Sequence, residues 1–467
     1  MIADLKPYAG YKESGIAWAP SLPATWRTER AKWLFTKMAR PVRPEDEVVT
    51  CFRDGTVTLR KNRRVRGFTE ATVEHGYQGI RRGDLVIHGM DAFAGAIGVS
   101  DSDGKGTPVY NVCQPRPGVS ARFYAHAVRE MSQSQWILAL AKGIRERSTD
   151  FRYEMFGNQR LPLPPLDEQA AIVRFLDWAN GRLERATRAK RKVITLLNEQ
   201  KQAIIHRAVT RGLDPSVPLK ATGSRWFPEL PAHWGALTLR RVLSSAINGP
   251  HFSPQYHDAG IPFLSARNVK ADRWVLGDAK FISEDDYAEF SRRVRPEIGD
   301  VLYTKGGTTG IARAVDLAFR FQVWVHIAVL KLQRHRVVPA FLAYCLNSPL
   351  CYEQSQLFTR GATNQDLGLG RMKEIELPVP RTLEEQQSIV ENLDEQTSSF
   401  TRAISRLERE IELLREYRIR LVADVVTGKL DVREAAARLP YDAPFDTAED
   451  DADLSDETET ADEEVAE

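Results

Sequence analysis

LPLPPLDEQAAIVRFLD at 161–177 and LPVPRTLEEQQSIVENLD at 377–394 are two copies of one motif, with a single residue inserted in the second. In each, a Leu/Pro-rich segment gives way to a Pro-free stretch rich in helix formers, from Glu168 to Thr210 and from Glu385 to Thr427. Proline lacks the amide donor a helix interior needs, so the switch marks a helix start. In the first stretch Ile172, Leu176, Ala179, Leu183, Ala186, Lys190, Val193, Leu197, Gln200 and Ile204 step by four and three residues, a heptad seam. Ile389, Leu393, Gln396, Phe400, Ala403, Leu407, Glu410, Leu414, Tyr417 and Leu421 do the same in the second. A helix of about 40 residues is roughly 60 Å long at 1.5 Å per residue. Neither stripe can be buried alone, so the expectation is an antiparallel pair with approximate two-fold symmetry. Its apolar contacts would be Leu176, Leu183, Val193, Leu197 and Ile204 against Leu393, Phe400, Leu407, Leu414 and Leu421.

The duplication extends outward from these helices. Lys12, Gly15, Trp18, Pro20, Leu22, Pro23 and Trp26 recur as Lys220, Gly223, Trp226, Pro228, Leu230, Pro231 and Trp234, all at an offset of 208. VTRGLD at 209–214 returns as VTGKLD at 426–431. Between the shared parts lie two stretches of another texture, about 27–160 and 235–376. There, runs such as DLVIHG, DVLYTKG and FQVWVHIAVLKL are punctuated by Gly, Pro and Asp and predict strands, followed by helices near 121–142 and 339–358. Each stretch predicts a compact α+β domain. The two share little sequence beyond GDL at 83–85 and GDV at 299–301. Similar frames around dissimilar domains imply one task performed on two targets.

At 467 residues several domains are expected. The formal charge of +2 conceals a division. Residues 441–467 hold thirteen Asp or Glu and no Lys or Arg, so removing them leaves the preceding 440 residues at +15. A body that basic suits a polyanion, with nucleic acid the commonest. The acidic segment has the composition of a disordered, solubilising tail, and as an intramolecular polyanion it could also compete for the basic surface. Cys51, Cys113, Cys345 and Cys351 form no CxxC pair, which argues against a zinc site or disulfide framework. With no apolar leader and no apolar run of about 18 residues, a soluble cytoplasmic chain is expected.

Catalytic signatures are few. DGKGT at 103–107 lacks the upstream glycine of a phosphate-binding loop and places Gly after Lys. There is neither a GxGxxG turn, an Asn/Asp-Pro-Pro-aromatic tetrapeptide nor HExxH, and His251 with His257 lacks further ligands for a metal. Features suited to DNA are richer. RKNRRVRG at 60–67 supplies Arg60, Lys61, Arg63, Arg64 and Arg66 for phosphates or guanine edges, although a solvated basic hairpin has the same composition. His88 closes DLVIHG, and KGIRERSTD at 142–150 adds Lys142, Arg145 and Arg147. In the second domain the candidates are Asn248 and His251 in NGPHFSPQY, Arg267 and Asn268 in SARN, and Lys305, Thr308 and Thr309 in KGGTTG. RGATNQD offers Arg360, Thr363, Asn364 and Gln365, whose amides can pair bidentately with adenine but are also ordinary turn formers.

Taken together, these motifs resemble the specificity subunits of type I restriction-modification systems, over about residues 8–432. The specific signals are the two LPxxW openings, the LPLPPLDEQ and LPVPRTLEEQ segments and the VTxxLD exits. NGPHFSPQY…GIPFLSARNV with GDVLYTKGGTTG resembles one recurring type of recognition domain, and GDLVIHGMDAFAGAIGVSDSDGKGTPVYNV another.

The resemblance implies an α+β architecture of two globular target-recognition domains separated by two long helices that pair as an antiparallel coiled coil, a pseudo-two-fold tandem repeat. Its expected segments are 1–26, a repeat segment; 27–165, the first recognition domain; 166–212, the central helix; and 213–234, a linker with the second repeat segment. Then come 235–381, the second recognition domain; 382–432, the second long helix; and 433–467, an acidic tail that the family pattern does not cover. It further implies a non-catalytic chain without cofactor or metal, reading one half of a gapped double-stranded DNA site with each domain. Two methyltransferase subunits would dock on the helices, restriction and translocase subunits would join, and no membrane would be involved. A methyltransferase-only complex, an enzyme with built-in specificity and a coiled-coil scaffold that binds protein all remain open on sequence.

Overall fold

The computed structural model describes residues 5–63, 75–140, 150–361 and 365–440. Arg64, Arg66, Lys142, Arg145, Arg147, Thr363 and Asn364 lie outside the described residues, as does 441–467. The chain divides into two compact units, 1–188 with 411–467, and 189–410. The long helices are therefore not domains of their own, as the linear reading had them. Each contributes one part to each unit, because Leu166–Arg211 and Leu383–Val426 both cross a unit boundary.

The repeated motif folds the same way in each unit. In the first, strands Tyr11–Glu13 and Ser21–Pro23 form a hairpin with Lys12 opposite Leu22. In the second, Leu219–Ala221 and Glu229–Pro231 place Lys220 opposite Leu230. Gly15 and Gly223 turn the chain at φ of 71° and 75°, a conformation a side chain resists. The hairpin delivers Trp26 and Trp234 into the core, at 0% and 1% exposure.

The Pro-rich segments also have a definite place. Arg160–Leu163 pairs antiparallel with Arg27–Arg30, and Glu376–Val379 pairs with Gly235–Thr238, which brings the start of each long helix under its tryptophan. There Glu168 accepts the Trp26 indole N–H at 2.8 Å, and Glu385 accepts that of Trp234 at 2.9 Å. The next residue staples the helix to its domain. Gln169 accepts the Ser120 amide at 2.9 Å and donates to the Pro164 carbonyl at 2.9 Å. Gln386 accepts the Val338 amide at 2.8 Å and donates to the Pro380 carbonyl at 3.2 Å. The Glu-Gln pair in DEQ and EEQ is thus a packing device with both polar groups satisfied.

Burial along the helices corrects the seam. Leu393, Leu421 and Leu176 are buried, with Leu183, Leu197, Ile204, Phe400, Leu407 and Leu414 half-buried. Val193, however, is 44% exposed, and Ile194 turns inward in its place. In the second helix the alternate positions shift by one: Val390, Thr397, Ile404 and Ile411 are buried, whereas Gln396 and Tyr417 are exposed. Both phases share the Leu393, Phe400, Leu407, Leu414 register, so periodicity alone did not separate them. Within the second unit Lys190 donates to Glu410 at 2.6 Å and Lys201 to the Thr401 hydroxyl at 2.9 Å. Within the first, Arg418 reaches Glu184 at 3.3 Å. Residues 433–440, assigned to the acidic tail on composition, instead form the helix Arg433–Ala437 and bury Ala435, Ala436 and Leu439.

Candidate nucleic-acid interface

The two globular domains carry the same four-stranded antiparallel sheet. In the first its order is Phe35–Lys37, Tyr110–Pro115, Leu85–His88, Ile97–Val99. In the second it is Leu243–Asn248, Ile327–Leu332, Val301–Thr304, Ala312–Ala314. GDL and GDV enter the corresponding strand through one and the same turn. Gly83 and Gly299 sit at φ of 90° and 89°, and the side chains of Asp84 and Asp300 each accept a backbone amide at 2.8 Å, from Arg81 and Glu297 respectively. A cation covers each buried carboxylate. Arg40 pairs with Asp84 at 2.5 Å and Lys331 with Asp300 at 2.7 Å.

Register then decides which residues share the far end of each sheet. In the second domain Asn248 lies opposite Ala328, and Thr304 opposite Ile327, so the loops after Asn248 and Thr304 and before Ile327 emerge together. The segment after Arg360 joins them. Asp366 forms antiparallel bridges with Gly306 and with Arg360, and its carboxylate takes the Lys305 ammonium. Lys305 and Gly306 of KGGTTG and Arg360 and Asp366 of RGATNQD, segments that begin 55 residues apart, therefore meet in one cluster.

Within that cluster the candidates divide by burial. His251, Thr308, Arg360 and Gln365 are exposed, as is Arg267 on its own turn. The others are corrected to supporting roles. Asn268 is 2% exposed and spends its amide on Ser265, Val275 and Asp278, as the cap of a short turn. Asn248 is 5% exposed and accepts from the Arg293 guanidinium at 2.7 Å. Thr309 is buried against Gln356, and Lys305 is buried beneath Asp366. A side chain with its polar groups committed inside cannot also reach a base edge. Arg293 and Asp366, which set these loops, were missed, because nothing in the local sequence shows which loops they meet. Gly306 has a steric reason for lacking a side chain: a Cβ there would lie 2.0 Å from His326 Nδ1.

In the first domain His88 is the residue at the matching strand end, opposite Tyr110. Its Nδ1 accepts the Asp91 amide at 3.2 Å, its Nε2 lies 3.5 Å from the Asp91 carboxylate, and its ring packs at a tilt of 60° against Tyr110, with centroids 5.0 Å apart. Burial lowers its pKa, against the pull of Asp91 and with help from Arg53. A neutral, internally bonded His88 supports its loop and has no free edge to offer; that role is corrected too. Of the basic run, Lys61 is exposed and pairs with Glu47 at 2.5 Å, a contact that solvent screens. Arg60 is half-buried and directs its Nε toward the Thr50 hydroxyl at 3.4 Å. Arg63 pairs with Asp54 at 2.6 Å and lies 4.5 Å over the Phe52 ring.

Residues 246–413 match the type I restriction modification DNA specificity domain. The chain is 22% identical, over 60% of its length, to the type I restriction enzyme MjaVIII specificity subunit of Methanocaldococcus jannaschii. It is 23% identical over 50% of its length to the EcoBI specificity subunit of Escherichia coli. The matches span 64% and 51% of those two relatives. A chain solved in a study of complex assembly and conformational transition of the type I R-M system shares the fold, with a TM-score of 0.57 and 18% identity over 88% of this chain and 99% of that one. Among the described residues no helix is long and apolar enough to cross a membrane. The chain thus carries a type I restriction modification DNA specificity domain at 246–413 and is similar, over half or more of its length, to type I restriction enzyme specificity subunits.

Proposed function

We propose that each globular domain reads one half of a bipartite, gapped double-stranded DNA site, and that the chain itself catalyses nothing and binds no cofactor. The observation that carries this reading is the common sheet and Gly-Asp turn with unlike loops at the matching sheet ends: His88 against Tyr110 in one domain, the Asn248, Thr304 and Asp366 loops in the other. A frame shared by the two domains with unlike loops suits recognition of two different half-sites. Phosphate contacts would position each domain while a few exposed side chains specify sequence. In the second domain these are His251, Thr308, Arg360 and Gln365 and, on a separate turn, Arg267; in the first, Lys61.

The long helices act as an antiparallel coiled coil that sets the gap and docks two methyltransferase subunits, which restriction and translocase subunits then join in the cytoplasm. The opposed numbering of Lys190 with Glu410, Lys201 with Thr401 and Glu184 with Arg418 supports that pairing.

The test is co-expression with the partner methyltransferase in a methylation-free host, followed by single-molecule mapping of methyladenine. An asymmetric gapped motif that depends on this chain is expected. Arg360→Ala and Gln365→Ala should relax one half of it, by about 1–3 kcal/mol of discrimination for each lost bidentate contact, and leave the other half intact. Methylation that is ungapped, or unchanged without this chain, refutes the reading.

A further inference from the structure

The first unit contains a cleft of about 880 Å³. Its walls are the helix Ala121–Gln133, residues 170–188 of the first long helix, and residues 418–422 of the second. Arg122, Arg129, Arg174, Arg185, Arg188 and Arg418 line it. Of its four acidic residues, three are already engaged: Asp177 by Arg122 at 2.7 Å, Glu184 by Arg418 at 3.3 Å, and Asp54 by Arg63 at 2.6 Å. Glu130, the fourth, has a buried carboxyl oxygen with no hydrogen-bond partner among the described residues, and the buried side-chain oxygen of Asn180, also in the lining, has none either. Arg185 and Arg188 make no ion pair with any described residue. The cleft therefore combines uncompensated positive charge with unpaired acceptors, and a peptide with acidic side chains and backbone N–H donors complements both.

Leu439 and Pro440 form part of its rim, where Arg174 holds both carbonyls, that of Pro440 at 3.2 Å. The residues that follow are 441–467, with thirteen acidic and no basic side chains. We propose that this acidic segment docks in the arginine-lined cleft and covers Arg185 and Arg188 on the long helix.

A segment tethered at the rim experiences a local concentration on the order of millimolar, so a site with an intrinsic Kd near ~1 mM is already about half filled. The contact is electrostatic and must weaken with salt, as the Debye length falls from about 10 Å at 0.1 M to about 3 Å at 1 M. While docked, the segment masks a helix face from any other anionic partner.

The four native cysteines are buried, so the full chain can be spin-labelled at Ala170→Cys on the cleft wall and Ala461→Cys in the acidic segment. Double electron–electron resonance should show a short-distance population at 0.1 M salt. That population should fall at least about fivefold at 1 M salt and in Arg185→Glu/Arg188→Glu. Because those two changes lie in a helix, Asp450→Asn/Asp451→Asn/Asp453→Asn, which leaves the folded body untouched, should lower it independently. A broad distribution indifferent to salt, or a short distance that survives both sets of charge changes, overturns the proposal.

Discussion

Replacing Glu168 with alanine tests whether the helix-start motif acts as a buried acceptor. Glu168 is 3% exposed and accepts from both the Trp26 indole, at 2.8 Å, and the Tyr8 hydroxyl. Glu168→Ala orphans two buried donors, each costing about 1–3 kcal/mol, so a loss of about 3–5 kcal/mol is expected. Glu168→Gln retains an amide oxygen for the indole and loses only the charge-assisted part, about 1–2 kcal/mol. The equivalent Glu385→Ala should also cost only about 1–2 kcal/mol. Its carboxylate is 30% exposed, so water can replace it, and His233 Nε2 lies 3.1 Å from the Trp234 indole nitrogen as an alternative acceptor. Two units need not unfold together, so a single global midpoint is a poor readout. Native-state hydrogen exchange by mass spectrometry gives local opening free energies instead. The strands Arg27–Arg30 and Arg160–Leu163 report on Glu168, and Gly235–Thr238 and Glu376–Val379 on Glu385. Equal losses at the two sites, or a Glu168→Gln as costly as Glu168→Ala, would refute the reasoning.

Three further outcomes follow from other contacts. Asp366→Ala leaves the buried Lys305 ammonium uncompensated and should cost about 3 kcal/mol of local opening free energy by native-state hydrogen exchange, whereas Lys305→Met leaves a 42% exposed carboxylate that water can serve and should cost about 1 kcal/mol; the reverse order would show that the pair is not held as described. Ile404→Ala should destabilise by about 2–4 kcal/mol, and Val193→Ser by less than about 0.5 kcal/mol, which distinguishes the observed seam from the one-residue-shifted alternative. Burial raises Glu130 to about 7, against the pull of Lys429, while burial and then Arg129, Arg122 and Arg418 lower His126 to about 4. The folded chain thus holds the Glu130 proton that the unfolded chain releases near 4.5, and stability falls as pH rises from there to about 7. His126 has the opposite sign: the unfolded chain takes up a proton below 6.5 that the folded chain refuses until about 4, so stability falls as pH drops through that range. Between pH 4.5 and 6.5 the two contributions nearly cancel in the parent, so Glu130→Gln should leave a rise in stability with pH there and His126→Gln a fall; parallel profiles for both variants and the parent would contradict this.

Much of the architecture was legible because it repeats. Two tryptophans at a fixed offset, two Pro-rich segments running into Pro-free heptads, and two Gly-Asp turns are local patterns whose chemistry is carried by the residues themselves. A proline stops a helix and a glycine accepts positive φ whatever lies around them. The arithmetic that separates a basic body from an acidic segment is likewise independent of folding.

What only the tertiary structure decided is which of these residues meet. The heptad left two phases open because Leu393, Phe400, Leu407 and Leu414 serve both; packing chose Thr397 and Ile404 over Gln396 and Ala403. Asn268, Asn248, Lys305 and His88 have the composition of DNA-reading groups, yet partners distant in sequence, Asp278, Arg293, Asp366 and Tyr110, absorb them into loop supports. The division into units follows the same logic, since the start of one long helix and the end of the other fold with each domain. Local sequence determines which elements can form, because propensity and periodicity act over a few residues. Register and burial are set by contacts between residues tens to hundreds of positions apart, and those contacts decide whether a polar side chain faces solvent or is spent on its neighbours.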